Sequence, residues 1–516
     1  MDNNDIKLEK TVLCGEKTVF DENCEQPIEK DFVLPDYFPD IFRVLKCFVT
    51  PSAESHSING GRLSYDVSAL IRVWYLEEDN NRIHCIEQTV SYSKTADIDT
   101  DVNDPDVKIE PVCDYVNCRV VNSRRLDIRG SLSVRVKVTG AKLSELITDA
   151  EGGGIELKKS VLTFPAKRLT AAKRITLIEE LELSKSKPQI GAVLSSACTV
   201  IQKEHKMIAG KLITKGDAEV SLLYSCIDGQ GEESVESMKF SLPFSQIIDI
   251  DGIDDTFTAR VDIKASECEI IPKSEDSSTA ECEIVLLVRC TALKYDTSEA
   301  VTDAFSTAYE TELETTNACE RETAAEFDDT AEAQAVLSKA DEGIACVYSC
   351  TAQSSSVTAR YDKESGKVNV SGNISFRLLG KSSEGTPLYI EKDTAFDKDL
   401  SADGTDENCT LDISAAVTSC SYRLTSDDTA DAQAVISLKG RALRSGSGEA
   451  VTDIRLLTDK PKERNNSCCV KLCRCSADDD IWNIAKKYST SVSAILESND
   501  LTEGSQISEM LLIPIV

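Results

Sequence analysis

The sequence predicts a mainly β protein: three tandem β-rich repeats, each sandwich- or barrel-like, followed by a short C-terminal segment of different character. Three observations predict it. A fifteen-residue stretch occurs three times, as Gly61-Arg-Leu-Ser-Tyr-Asp-Val-Ser-Ala-Leu-Ile-Arg-Val-Trp-Tyr75, Gly210-Lys-Leu-Ile-Thr-Lys-Gly-Asp-Ala-Glu-Val-Ser-Leu-Leu-Tyr224 and Gly366-Lys-Val-Asn-Val-Ser-Gly-Asn-Ile-Ser-Phe-Arg-Leu-Leu-Gly380. Each copy opens Gly-basic-aliphatic and ends in a run that mixes apolar and polar residues as a partly buried strand does. The copies stand about 150 residues apart, a domain-sized period rather than that of a solenoid. Between them lie many strand-like runs separated by turn clusters such as Glu77-Glu-Asp-Asn-Asn81, Asp228-Gly-Gln-Gly231 and Lys381-Ser-Ser-Glu-Gly385, with few long helical patterns.

In chain order, residues 1–150 form the first repeat, 151–306 the second, 307–464 a divergent third, and 467–516 the C-terminal module. The first two align without a gap: Glu9-Lys-Thr-Val-Leu13 lies over Lys158-Lys-Ser-Val-Leu162, and Pro39, Ile41, Val44 and Leu45 lie over Pro188, Ile190, Val193 and Leu194. A Pro or Asp then opens a short helical turn in each repeat, at Pro39 to Leu45, Pro188 to Leu194 and Asp341 to Tyr348. Gly61, Gly210 and Gly366 read as turn residues between strands. Long strand-like runs close the repeats, clearest at Leu126 to Val138 and Ala280 to Cys290. The Glu-, Ala- and Thr-rich stretch from Tyr309 to Asp341 has few apolar anchors and helical propensity at Ala331 to Lys339, which marks it as a flexible joint.

The chain has 516 residues, 41% hydrophobic and 28% charged, enough for several cores in an ordinary globular composition. Its net charge of −32 would repel phosphate backbones and anionic lipid, so nucleic acid is not an expected partner. Met1 to Lys10 lacks the apolar core of a secretory signal, and no apolar run approaches the ~20 residues of a membrane span. A cytosolic protein without membrane insertion is expected. The 20 cysteines then read mostly as small buried apolar residues in a reducing compartment. Cys468-Cys469-x-x-x-Cys473-x-Cys475 departs from paired C-x-x-C zinc knuckles, so no metal is expected. His56, His84 and His205 lie in no nucleophile or metal motif, and His84 and Cys85, as strand neighbours, point to opposite faces. Neither enzyme activity nor a cofactor is expected.

Leu34-Pro-Asp-Tyr-Phe-Pro-Asp-Ile-Phe-Arg-Val-Leu-Lys-Cys47, Asn117-Cys-Arg-Val-Val-Asn-Ser-Arg-Arg-Leu-Asp-Ile-Arg-Gly130 and Ile247-Ile-Asp-Ile-Asp-Gly252 resemble segments of the SPOCS domain (DUF3794), a family of endospore-forming bacteria. Phe38 stands where that family would have a cysteine. The last fifty residues resemble a LysM module, which implies a small α/β (βααβ) fold. Asp478 to Tyr488 supply its first helix, Val492 to Asn499 its second, and Met510 to Pro514 its closing strand. The residues alone agree, since Asp480 can cap a helix on which Ile481, Ile484, Ala485 and Tyr488 recur at helical spacing.

SPOCS repeats followed by LysM resemble the domain order of spore-coat assembly proteins that bind stage IV sporulation protein A, the ATPase of the coat basal layer. The resemblance implies a coat adaptor in the mother cell, at the forespore surface, that meets this ATPase and other coat proteins. LysM modules that hold N-acetylglucosamine keep a shallow groove between the opening of helix one and the loop before the last strand. Here Asp478 and Asp480 replace the usual Gly and Thr, and Ser508 stands where Gly is common; an added carboxylate suits a neutral sugar poorly. A protein partner is therefore expected, with Asp479, Asp480, Trp482, Asn483 and Asn499 rimming the contact surface and Trp482 its aromatic anchor. On helix position alone Trp482 is equally a small-domain core residue. The alternative is a wall protein whose LysM binds peptidoglycan. Arg124, Arg125 and Arg129 form a small basic cluster that either pairs with local carboxylates or docks another coat protein.

Overall fold

The computed structural model describes residues 6–78, 82–227, 231, 233–273, 278–318, 322–339, 342–425, 428–444, 448–462, 469–475, 480–502 and 510–514. It is mainly β, and its strands fall into three sets with one pairing scheme. In the first set β1 (Lys7–Val33), β2 (Arg43–Asn59), β3 (Arg62–Leu76), β4 (Ile83–Asp97), β5 (Asn103–Asn122) and β6 (Arg125–Glu151) make two antiparallel sheets, ordered β2-β3-β4 and β1-β6-β5. The second set, β7 (Ile155–Glu182), β8 (Ala192–Ile208), β9 (Lys211–Ile227), β10 (Glu233–Asp249), β11 (Thr258–Pro272) and β12 (Thr279–Ser306), repeats this as β8-β9-β10 and β7-β12-β11.

The third set has its two outer strands in pieces. β13 (Tyr309–Asn317) and β14 (Glu322–Leu337) stand for one; β15 (Ile344–Asp362), β16 (Lys367–Ser382), β17 (Pro387–Ser401) and β18 (Thr410–Leu424) follow; β19 (Ala430–Arg444) and β20 (Glu449–Pro461) stand for the other. Its sheets are β15-β16-β17, β14-β19-β18 and the ribbon β13-β20. The chain then forms β21 (Val470–Arg474), α1 (Ile481–Tyr488), α2 (Val492–Ser498) and β22 (Met510–Pro514), with β21 and β22 antiparallel.

Period-two alternation builds each core. On β3, Leu63, Tyr65, Val67, Ala69, Ile71 and Val73 are buried against Leu126, Ile128, Leu132, Val134, Val136 and Val138 of β6 and its neighbours. The turn before each middle strand carries Gly61, Gly210 or Gly366 at φ 82°, 75° and 66°, left-handed values that a Cβ would resist.

Two local expectations are corrected. No helix forms at Pro39 to Leu45 or Pro188 to Leu194: strand pairing begins at Arg43 and Ala192, and the Pro39 and Pro188 carbonyls accept 3.1 Å bonds from the buried Tyr75 and Tyr224 hydroxyls. At the third position β15 begins at Ile344, and Asp341 lies outside the described residues. The presumed joint at Tyr309 to Asp341 contains β13 and β14. Pairing with β19 buries Phe327, Ala331, Ala333, Ala335 and Leu337 on alternate positions, so tertiary contacts override the helical propensity of Ala and Glu.

The three sets close on one another. Trp74, Leu223 and Leu379, which hold the same place in the three copies of the fifteen-residue stretch, meet in one buried cluster with Leu194, Val235 and the half-buried Phe48, Tyr348 and Tyr389. Trp74 Nε1 donates to the Leu194 carbonyl at 2.9 Å, Ser237 Oγ to the Tyr348 carbonyl at 3.0 Å, and Arg43 Nη2 to the Pro387 carbonyl at 3.0 Å. First set bonds second, second bonds third, and third returns to first. At the other end the long strands leave their sandwiches as ribbons, and Leu146, Ala300 and Ala450 pack together beside Ile147, Val301 and Val451.

Candidate functional site

The ribbons carry a five-residue pattern: Leu146-Ile-Thr-Asp-Ala150, Ala300-Val-Thr-Asp-Ala304 and Ala450-Val-Thr-Asp-Ile454. In each the register slips by one residue at the threonine, Thr148, Thr302 or Thr452, a β-bulge that re-aims the aspartate after it. Thr302 and Thr452 fix the bulge by donating across the ribbon to the Lys158 and Glu314 carbonyls, each at 3.1 Å.

Among the described residues the second ribbon alone uses its aspartate to hold the C-terminal module. Asp303 Oδ2 accepts the Trp482 indole N–H at 2.7 Å, and Lys486 Nζ reaches both carboxylate oxygens at 2.7 and 2.8 Å. Trp482 and Lys486 lie four apart on α1, hence on one face. Phe305 meets the Trp482 ring edge-on, with centroids 5.0 Å apart, and the two rings are 2% and 7% exposed. Beside them Lys158 Nζ pairs with Asp480 at 2.8 Å. Asp480 also caps α1, accepting the Trp482 backbone N–H at 3.0 Å. One buried cluster joins Phe305 to Trp482, Ile484, Ala485, Ile495, Leu511 and Ile513, so the core of the C-terminal module is completed by a side chain from the second sandwich.

Strand register explains why only one ribbon does this. Asp303 lies opposite Lys158, whereas Asp149 lies opposite Glu9 and Asp453 opposite Glu314. Where the second ribbon has Phe305, the first has Glu151 and the third Arg455. The other two ribbons thus have no aromatic platform there, and a carboxylate at the position of Lys158. Their aspartates pair elsewhere, Asp149 with Lys159 of β7 at 3.0 Å and Asp453 with Arg455 of its own strand at 3.1 Å.

Burial pushes the Asp303 carboxyl up, but the Lys486 ammonium and the Trp482 N–H outweigh it and hold the group below its ordinary 3.8. Lys158 holds Asp480 below the same value. Carboxyls depressed in the docked state contribute stability that is complete above their ordinary value and lost as pH falls through the docked one. Docking is therefore expected to be insensitive to pH from 8 down to about 5 and to weaken progressively below about 4. Tryptophan emission of the intact chain, with a Trp482→Phe variant to subtract Trp74, checks this.

Of the residues expected to rim a partner surface, Trp482 and Asp480 face the second sandwich. Asn499 works inside the module: its Nδ2 donates to the Ile495 and Leu512 carbonyls and its Oδ1 accepts the Leu512 N–H, each at 2.7 Å, which ties β22 to α2. Asn483 is exposed, and Asp479 lies outside the described residues. Sequence reading missed Asp303, Phe305 and Lys158. The thrice-repeated Thr-Asp, with an aromatic two residues after only one aspartate, is the signal that marks them.

The basic cluster pairs locally. The Arg124 guanidinium donates to the Leu34, Pro35 and Phe38 carbonyls and, at 2.7 Å, to Asp40, and so organises the Leu34 to Asp40 loop. Arg125 pairs with Asp31, and Arg129 with Asp127 and Glu29. His84 stacks on Tyr75 and bonds Glu77 at 3.1 Å, with burial pushing its pKa down. Cys85 points to the inter-sandwich cluster, where burial pushes its thiol up to about 12. In the C-terminal cysteine group, Tyr488 donates to Cys473 Sγ at 3.7 Å, Cys475 is buried and Cys469 exposed, while Cys468 lies outside the described residues. Among the described residues no group of three or more His, Cys, Asp or Glu is placed to hold a metal, and no helix is long and apolar enough to cross a membrane.

The fold and site define a protein of β-sandwich units with a small α/β module seated on one of them. Residues 189–271 match the family described as "SipL, SPOCS domain". The matched stretch runs from just before β8 to β11, so the SPOCS-domain match falls within the second sandwich. Neither the curated proteins nor the solved structures give a match.

Proposed function

We propose that this chain is a non-enzymatic spore-coat morphogenetic adaptor whose three sandwiches are all SPOCS units and whose C-terminal LysM module docks on the coat basal-layer ATPase, stage IV sporulation protein A. The sandwiches would meet other coat components from the mother-cell side of the forespore. The observation that carries the reading is the seating of the module on the second unit through Trp482, Asp480 and Lys486. The opening of α1, where glycan-binding LysM modules keep their groove, faces protein and supports a protein-binding role over a sugar-binding one. The contact face for the ATPase then lies on the outer side of the helices, where Asn483, Lys487 and Glu497 are exposed, while Trp482 and Asp480 set the pose of that face.

The test is capture of the purified intact chain on immobilised ATPase and, in parallel, on sedimented peptidoglycan. Capture by the ATPase without retention by peptidoglycan is expected. Retention by peptidoglycan alone would overturn the adaptor reading in favour of a wall-binding protein.

A further inference from the structure

In the third sandwich, Cys350 of β15 and Cys420 of β18 bring their sulfur atoms to 3.8 Å across the edge where the two sheets approach. Both thiols are half-buried. The first sandwich has a thiol pair at the same edge: Cys47 of β2 and Cys118 of β5 pack in one core cluster. Cys47 and Cys350 hold one register, opposite Val73 of β3 and Leu378 of β16. The second sandwich differs at that register. Ser196, opposite Leu222, takes the place of the cysteine and donates its hydroxyl to the Cys268 carbonyl at 2.7 Å, so the same edge is held by a hydrogen bond.

We propose that Cys350 and Cys420 are a redox modification site, closed by a low-molecular-weight disulfide into an intramolecular disulfide that staples the two sheets, and that Cys47 and Cys118 form its counterpart in the first sandwich. The bond needs the sulfurs to close from 3.8 Å to about 2.05 Å, a movement within side-chain rotation and small strand adjustment. Each pair has one thiol stabilised as a thiolate by the S–H of the other, Cys420 by Cys350 and Cys118 by Cys47, and Lys239 adds positive charge beside Cys420. The Cys420 thiolate attacks one sulfur of oxidised glutathione, forming a mixed disulfide and releasing one glutathione thiolate. Cys350 then loses its proton and attacks Cys420 Sγ, forming the protein disulfide and expelling the second glutathione thiolate. Two protein thiols are oxidised and one glutathione disulfide is reduced to two thiols.

The staple joins residues about 70 positions apart, a span for which cross-linking restricts the unfolded chain substantially. The intact chain, incubated with oxidised glutathione, acid-quenched, alkylated and digested without reduction, is read by mass spectrometry. A peptide linking Cys350 to Cys420 is expected, with a rise in melting temperature of about 5 °C that reductant reverses. In Cys420→Ser, Cys350 should be recovered as an alkylated thiol or a glutathione adduct, with a smaller rise than in the parent chain because the Cys47–Cys118 pair remains. Recovery of Cys350 and Cys420 from the oxidised parent chain as separate alkylated or glutathionylated peptides would overturn the proposal.

Discussion

Giving the second ribbon the residues of the first, by Phe305→Glu together with Lys158→Glu, is expected to release the C-terminal module while the three sandwiches stay folded. The substitution removes an aromatic ring that is 2% exposed and sits in the module's own core cluster. Loss of a buried Phe costs about 3–5 kcal/mol, and the introduced Glu at 158 turns the attraction to Asp480 into repulsion. Neither substituted position belongs to the module's own segment of chain. Trp482, now 7% exposed, would move into water, so its emission should shift to the red and acrylamide should quench it more strongly. Far-ultraviolet circular dichroism, dominated by the strands, should hardly change. An unshifted Trp482 spectrum would mean that Phe305 and Lys158 do not hold the module.

Trp74→Ala is the second large effect, and it acts on the whole body. Trp74 is buried where equivalent residues of all three sandwiches meet, edge-on to Phe48 at 4.7 Å and Tyr389 at 6.3 Å. Truncation opens a cavity worth about 3–5 kcal/mol and leaves the Leu194 carbonyl without its indole donor. Because each sandwich bonds the next and the third returns to the first, the loss falls on three interfaces together. The melting midpoint by calorimetry is expected to fall by roughly 10 °C. A midpoint within a degree or two of the parent chain would show that the sandwiches unfold independently of their shared cluster.

Much of the fold was legible because it rests on local rules. Alternation along Leu63, Tyr65, Val67 and Ala69 names a strand with one buried face, and Gly61, Gly210 and Gly366 mark the turns. Asp480 announces a helix start, and it caps α1. What failed depended on distant partners. Ala331, Ala333 and Ala335 belong to residue types that favour helix when nothing competes, and pairing with β19 decides against it.

The site followed the same division. Helical spacing places Trp482 on the apolar face of α1, but what covers that face is Phe305, on a strand far back in the chain. For the arginine cluster the sequence left local pairing and docking both open; the carbonyls that Arg124 satisfies belong to a loop that only the paired β1 and β6 bring beside it.

The adaptor reading is tested most directly by titrating purified stage IV sporulation protein A into the intact chain and into residues 1–462, with calorimetry as the readout. The account predicts saturable binding to the intact chain and at least about a hundredfold weaker binding without the module, equivalent to about 2.7 kcal/mol. Equal affinity for the two would contradict it.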